Sequence, residues 1–298
     1  MKKTIILILL LVSCLNNKDK KMNTEEIKIY AINYEFAIPS EITINDVVLD
    51  VNFQEGVFGP EFINDYIVKK GLQKVKIKLI HPFIESNGMI DPEKLLKMDD
   101  KLRIDIVDIL NDYKAELVKK LDFPEITQPV PYIEYEWEFE ADVPFELEGW
   151  KNSEDLSKWD ENELEKQVLA KFTQLRSLLQ TGDGVGFVKE LAFANKEYFI
   201  ANYFSEAQQQ EYTANLIQTY SDHKGIMPLI ENYRVRIMGD GKVVTLENLG
   251  KHRGQGVLTA EFLEEETLFQ NYIMLHKPTN SDHFEIVRVN SQMTSIDD

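Results

Sequence analysis

The strictest pattern in the chain lies at 132–142, where Ile133, Tyr135, Trp137, Phe139 and Ala141 alternate with Glu134, Glu136, Glu138, Glu140 and Asp142. A period of two belongs to a strand with one face on a core and the other in water. Lys74-Val75-Lys76-Ile77-Lys78-Leu79 repeats the pattern with the opposite charge, after the punctuation of Gly71. Ile27, Ile29 and Ala31 alternate with Lys28 and Tyr30, and Ile42-Thr43-Ile44 faces Val47-Val48-Leu49 across Asn45-Asp46, a hairpin-turn pair. Residues 26–147 therefore read as an all-β domain, a sandwich. Within it, 91–121 carries two competing periods. Leu102, Ile104 and Ile106 keep strand alternation, whereas Ile106, Leu110, Tyr113, Leu117 and Leu121 keep helical spacing, which predicts a strand running into a helix or a long excursion.

The pattern changes after a linker at 148–159 that contains Gly149, Asn152 and Ser153, with Trp150 and Trp159 expected to pack at the junction beside Phe145. Asp160 and Glu163 have capping-box spacing. Leu164, Val168, Phe172, Leu175 and Leu179 then form one apolar stripe that stops at Gly182. Helical stretches at 185–201 and 205–220 follow. Strands are expected at 233–238, 243–249, 257–263, 267–276 and 284–289, with a hairpin at Asp240-Gly241. Helices first and an antiparallel meander afterwards give an α+β domain over 160–298.

The start of the chain has its own logic. Lys2 and Lys3 precede an apolar run at 5–12 that is too short to cross a bilayer, which takes roughly 20 residues, and has the form of an export signal. The run ends in Leu11-Val12-Ser13-Cys14, which resembles the lipobox of bacterial lipoproteins. That resemblance implies removal of 1–13, lipid on Cys14, and attachment to a membrane of the cell envelope. Leu15 in place of Asp after the cysteine resembles outer-membrane delivery. Residues 14–25, polar and aperiodic, read as a tether. More than one acyl chain is needed for stable anchoring, a condition that a di- or triacylated Cys14 meets.

Composition narrows the chemistry. With 43% hydrophobic and 28% charged residues the chain is globular in character, and its 298 residues suit two domains better than one. The formal charge of −18 becomes −20 once Lys2 and Lys3 are removed. Such a charge excludes nucleic acid as a natural partner and points to basic proteins or cations. Cys14 is the sole cysteine, so the folded part has no disulfide, zinc–thiolate site or thiol nucleophile.

Two further resemblances concern the domains. The order of elements over 160–289, the Gly182-Asp183-Gly184 turn and the closing Leu275-His276-Lys277-Pro278 to Phe284-Glu285-Ile286-Val287-Arg288 hairpin resemble the cone-shaped fold of nuclear transport factor two and the SnoaL-like proteins. That likeness implies either a catalytic cavity with Asp or His or a non-catalytic binding module. Ile63-Asn64-Asp65-Tyr66-Ile67, followed by Gly71 and the Lys74 strand, resembles a passage of jelly-roll accessory domains, which implies sugar binding.

Motifs for catalysis are lacking. His81, His223, His252, His276 and His283 show no metal-ligand spacing, and Gly182-Asp183-Gly184-Val185-Gly186 joins two helices, where glycine serves as a cap, instead of following a strand as a phosphate loop does. No metal, cofactor or catalytic residue is expected on this basis. The candidate binding residues are Glu134, Glu136, Glu138 and Glu140, whose charges repeat at about 7 Å along a strand. Either Lys74, Lys76 and Lys78 lie beside them on one sheet face, or the stripe takes a basic protein or Ca²⁺. Three functions follow: a non-catalytic envelope lipoprotein that binds a protein, such as an immunity factor neutralising a toxin; an enzyme or small-ligand binder using the second domain's cavity; and a carbohydrate binder using the first. A buried polar cavity holding Asp or His would favour the enzyme, and a filled apolar cone together with an exposed acidic groove the protein binder.

Overall fold

The computed structural model describes residues 27–296 apart from 37, 53–56, 81–88, 94–100 and 110. The signal segment, Cys14, the tether up to 25 and His81 lie outside the described residues. The described chain is mixed α/β, and its contacts group it into two compact units, one ending at Leu147 and the other beginning at Glu148.

The first unit is mostly strands: β1 (Ile29–Asn33), β2 (Glu35–Phe36), β3 (Ser40–Ile44), β4 (Val47–Asn52), β5 (Val57–Phe58), β6 (Glu61–Phe62), β7 (Lys69–Ile80), β8 (Arg103–Asp108), β9 (Lys114–Lys120) and β10 (Tyr132–Glu146). They form two four-stranded antiparallel sheets, β6-β1-β8-β9 and β10-β7-β3-β4, while β2 pairs with β5. Each sheet turns its apolar alternates inward, among them Ile32 and Ile104 from one and Ile42, Val75, Ile77 and Leu79 from the other, all fully buried. Across the core Tyr30 of β1 sits 6.1 Å from Phe139 of β10, and its hydroxyl oxygen accepts from the Asp142 N–H at 2.7 Å.

Asn45 and Asp46 form the expected hairpin turn with φ of +51° and +62°, left-handed values that asparagine and aspartate tolerate best after glycine. Asn45 also donates to Gln73 Oε1 at 2.8 Å and to the Tyr66 carbonyl at 2.9 Å. The Asn64 passage faces inward. Its Oδ1 accepts from the Tyr30 N–H at 2.8 Å and its Nδ2 donates to the Lys28 carbonyl at 2.9 Å, so Asn64 satisfies backbone groups.

One expectation fails here. In place of the helix or long excursion expected after Ile106 stands the β8–β9 hairpin, turning at Asp112 and Tyr113 with φ of +51° and +56°. The supposed helical stripe does not converge on a core, since Leu117 is 59% exposed and Tyr113 37%. Cross-strand pairing over the β-branched run Ile104-Asp105-Ile106-Val107 decided the local conformation.

The second unit is α+β. Its elements are α1 (Glu161–Thr181), α2 (Gly184–Glu190), α3 (Ala192–Ala201), α4 (Glu206–Ser221), β11 (Tyr233–Met238), β12 (Val243–Asn248), β13 (Ala260–Phe262), β14 (Thr267–His276) and β15 (Glu285–Ser295). The sheet runs β11-β12-β14, with β13 and β15 also paired to β14, all antiparallel. Leu164, Val168, Phe172, Leu175 and Leu179 are the buried face of α1, and Gly182 closes the helix at φ +74°. Asp160 caps α1 by accepting from the Glu163 N–H, but Glu163 turns to Gln167; the complete capping box is that of Ser205 and Gln208 on α4.

The glycine cluster is a tight helix junction. Asp183 accepts from the Gly186 N–H at 2.8 Å, filling the start of α2 itself. A Cβ on Gly184 would stand 2.2 Å from the Ile217 carbonyl, so its absence lets α2 approach α4.

Residues 148–159, expected as a linker, are bound to the second unit. Ser153 bridges to Pro278, the Glu154 N–H donates to the Lys277 carbonyl at 2.8 Å, and the Thr279 N–H donates to the Asn152 carbonyl at 3.0 Å. Trp150 lies against Arg288 and Trp159 against Phe284.

Candidate functional site

The four candidate glutamates fall on β10, and the register with β7 places Glu134 opposite Lys78, Glu136 opposite Lys76, Glu138 opposite Lys74 and Glu140 opposite Leu72. Directly opposed residues of antiparallel strands share a face, so the acidic and basic stripes form one ladder, as the first of the two expectations had it. Lys74 reaches Glu136 diagonally at 3.0 Å, and Lys76 lies 3.7 Å from Asp46. On the far side of β7, Glu41 stands opposite Lys78. Asp142 ends the row between Lys28 and Lys70, whose hydrogen bonds and charge bring its carboxyl down to about 2.

These pairs are open to water, where each contributes about 0.2–1 kcal/mol. Their main effect is to relieve repulsion along β10. The exception is Glu140, whose cross-strand neighbour Leu72 is 55% exposed. The inward face also holds a surprise. Ile133, Trp137, Phe139 and Ala141 are buried as expected, but Tyr135 is 40% exposed, its ring meeting Trp137 edge-on at 4.9 Å. Trp137 in turn donates from its indole to the Asp122 carbonyl at 2.9 Å.

The alternative, a catalytic cavity, would lie in the second unit. Its centre is filled by Phe172, Leu175, Phe187, Leu246, Phe269 and Ile273, all buried. His223 is fully buried among Phe262, Phe269 and Tyr220, with Nδ1 2.9 Å from the Thr219 carbonyl, and burial pushes its pKa down. Tyr220 is pushed up to about 12, chiefly by burial. His223 meets a backbone carbonyl, and the Tyr220 hydroxyl hydrogen-bonds to Ser291.

A denser polar cluster, which sequence reasoning missed, holds residues 149–153 in place. Glu197 of α3 is 3% exposed and pairs at 2.7 Å with Arg288 of β15, which is 2% exposed. The other Glu197 oxygen accepts from the Gly149 N–H at 2.8 Å, and Trp150 covers the Arg288 guanidinium at 5.5 Å. Beside them Ser153 Oγ lies 2.8 Å from His276 Nδ1. Burial, and then the charge of Arg288, lower His276 to about 4, so it is neutral at physiological pH.

A serine beside a histidine invites comparison with a nucleophile and its base, but the arrangement lacks the parts. Both side chains are buried, Glu197 is committed to Arg288 instead of orienting the imidazole, and His276 Nε2 meets no hydrogen-bond partner among the described residues. The cluster holds a segment of chain. Glu247, fully buried on β12, is likewise enclosed by Arg234, Arg236 and the Tyr272 hydroxyl at 2.6–2.7 Å. Its one advance signal was Arg234 and Arg236 alternating on the neighbouring strand.

Among the described residues no group of three or more His, Cys, Asp or Glu side chains is placed to hold a metal ion. An open concavity of about 500 Å³ between α3 and α4, floored by Phe199, Ala214 and Ile217, has Glu206, Gln209 and Gln210 at its rim. Its one lining hydroxyl, that of Thr213, donates to the Gln209 carbonyl at 2.6 Å, and Glu206 is the one acid or base of its lining. No helix among the described residues is long and apolar enough to cross a membrane. Compared with family models, curated proteins and solved structures, the chain finds no match.

Proposed function

We propose that this chain is a lipid-anchored lipoprotein of the bacterial envelope, carried on Cys14 to the outer membrane, that binds a protein partner without catalysis. In this reading 1–13 directs export, 14–25 is the tether, the first unit is a jelly-roll-like β-sandwich, and the second is a cone-like α+β domain. Its acidity suits a basic partner, such as a toxin that the protein neutralises as an immunity factor. The observation that carries the proposal is the contrast in how ionisable groups are used. A regular charged ladder stands in solvent on β7 and β10, whereas Glu197 and Glu247, the buried acids of the second unit, are each held by arginine.

The test has two arms in the native cells. Fatty-acid labelling should mark the wild type and leave Cys14→Ala unlabelled; label on the variant would remove the anchor. In-cell cross-linking of the anchored protein should capture one protein in stoichiometric amount. Consistent failure to capture any, with the chain correctly anchored, would remove the binding role.

A further inference from the structure

The side of β10 away from β7 has a chemistry of its own. This strand ends its sheet: β7 covers one side, and among the described residues no strand covers the other. Nor does any described residue from 133 to 141 make a backbone hydrogen bond there. A long strand edge with free N–H and C=O groups is a template for another strand unless something blunts it. Glutamates blunt it selectively. A two-fold pairing of β10 with a second copy would set Glu against Glu on one face, so self-association is disfavoured.

A basic strand meets no such obstacle, and β7 demonstrates the fit. It places Lys74, Lys76 and Lys78 against the glutamates and Val75, Ile77 and Leu79 on the core side. The inward face of β10 supplies an independent observation in Tyr135, a large ring at the sheet margin left 40% exposed. The apolar alternates of an added strand would cover it, while their basic neighbours lay beside Glu134, Glu136, Glu138 and Glu140.

We propose that the edge of β10 that no described strand covers binds an extended segment of a protein partner, with Lys or Arg at every second position and apolar residues between, by adding it as a further strand. This deepens the protein-binding reading above and rests on it. Main-chain hydrogen bonds supply the affinity and the alternating charges select the sequence.

The intact chain can be titrated with three octapeptides: alternating Lys-Val, the same peptide N-methylated at every residue, and alternating Glu-Val. The Lys-Val peptide should bind, slow amide exchange within 133–141, and lose affinity as salt is raised. N-methylation, which keeps the charge but removes the donors, should abolish binding, and the Glu-Val peptide should not bind. Glu140→Lys, which leaves every Lys–Glu pair of the ladder intact, should weaken the Lys-Val peptide about 2- to 30-fold with unchanged circular dichroism. Equal binding of the N-methylated peptide, exchange protection elsewhere, or no binding would each overturn the proposal. If the peptide fails while cross-linking still captures a partner in cells, the edge assignment falls and the protein-binding role stands. Peptide binding with no partner captured would keep the edge and remove the role.

Discussion

Arg288→Met tests the buried pair most sharply. The substitution keeps much of the aliphatic volume but strands the Glu197 carboxylate, 3% exposed, without the guanidinium now 2.7 Å away. Removing one partner of a buried ion pair costs about 3–5 kcal/mol, because the remaining charge must be desolvated or protonated. Losing the contact of Trp150 with the guanidinium adds to this. For a unit near 150 residues, each kcal/mol moves the midpoint by roughly 2–4 °C, so a fall of about 6–20 °C is expected. The control is Glu197→Gln combined with Arg288→Met, which removes both charges and should recover most of the loss, since paired apolar replacements are often close to neutral. Calorimetry of the intact chain reads the midpoint, and amide exchange at Gly149, which donates to Glu197, reports whether the segment loosens with it. A loss below about 1 kcal/mol, or a double variant no better than the single one, would refute the account of the cluster.

Other outcomes follow from the same coordinates. His276 is held near 4, below its unfolded value of about 6.5, so the unfolded chain takes up its proton first; stability should fall by about 1.4 kcal/mol per pH unit between roughly 6.5 and 4 on its account. Denaturation across that window should show a shallower slope in His276→Gln, and equal slopes would contradict the burial of a neutral imidazole. Gly184→Ala forces a methyl to within 2.2 Å of the Ile217 carbonyl and should cost about 1–3 kcal/mol by urea denaturation, where a neutral result would mean that α2 and α4 separate freely. Glu136→Lys, on an exposed ladder, should cost no more than about 1–2 kcal/mol, and a loss above 3 would show the face to be more than a surface feature. Trypsin should cut after Lys151 only as fast as the second unit opens, and prompt cleavage would mean that 148–154 is loose.

Local periodicity was the legible part. The stripe on α1, the turn at Asn45-Asp46 and the sharing of one sheet face by Lys74–Lys78 and Glu134–Glu140 follow from spacing and charge, whereas the register that sets Glu140 opposite Leu72 does not. The hairpin at 103–120 was obscured because five apolar residues fell by coincidence at helical intervals, and nothing local announces that Leu117 faces water. The Glu197–Arg288 pair joins residues 91 positions apart, and a single glutamate in an acidic chain carries no mark of its partner. The candidate glutamates were visible as a stripe. Their place at a sheet margin was not, because strand order depends on contacts far apart in sequence.

The ladder on β7 and β10 gives its lysines more than one neighbour. Lys78 stands between Glu134 and Glu41, Lys74 faces Glu138 and reaches Glu136, and Lys76 has Glu136 opposite and Asp46 nearby. Loss of one carboxylate therefore leaves a lysine with a second to turn to. Single substitutions can accumulate on this face with little penalty, and the face changes character only when neighbouring positions change together.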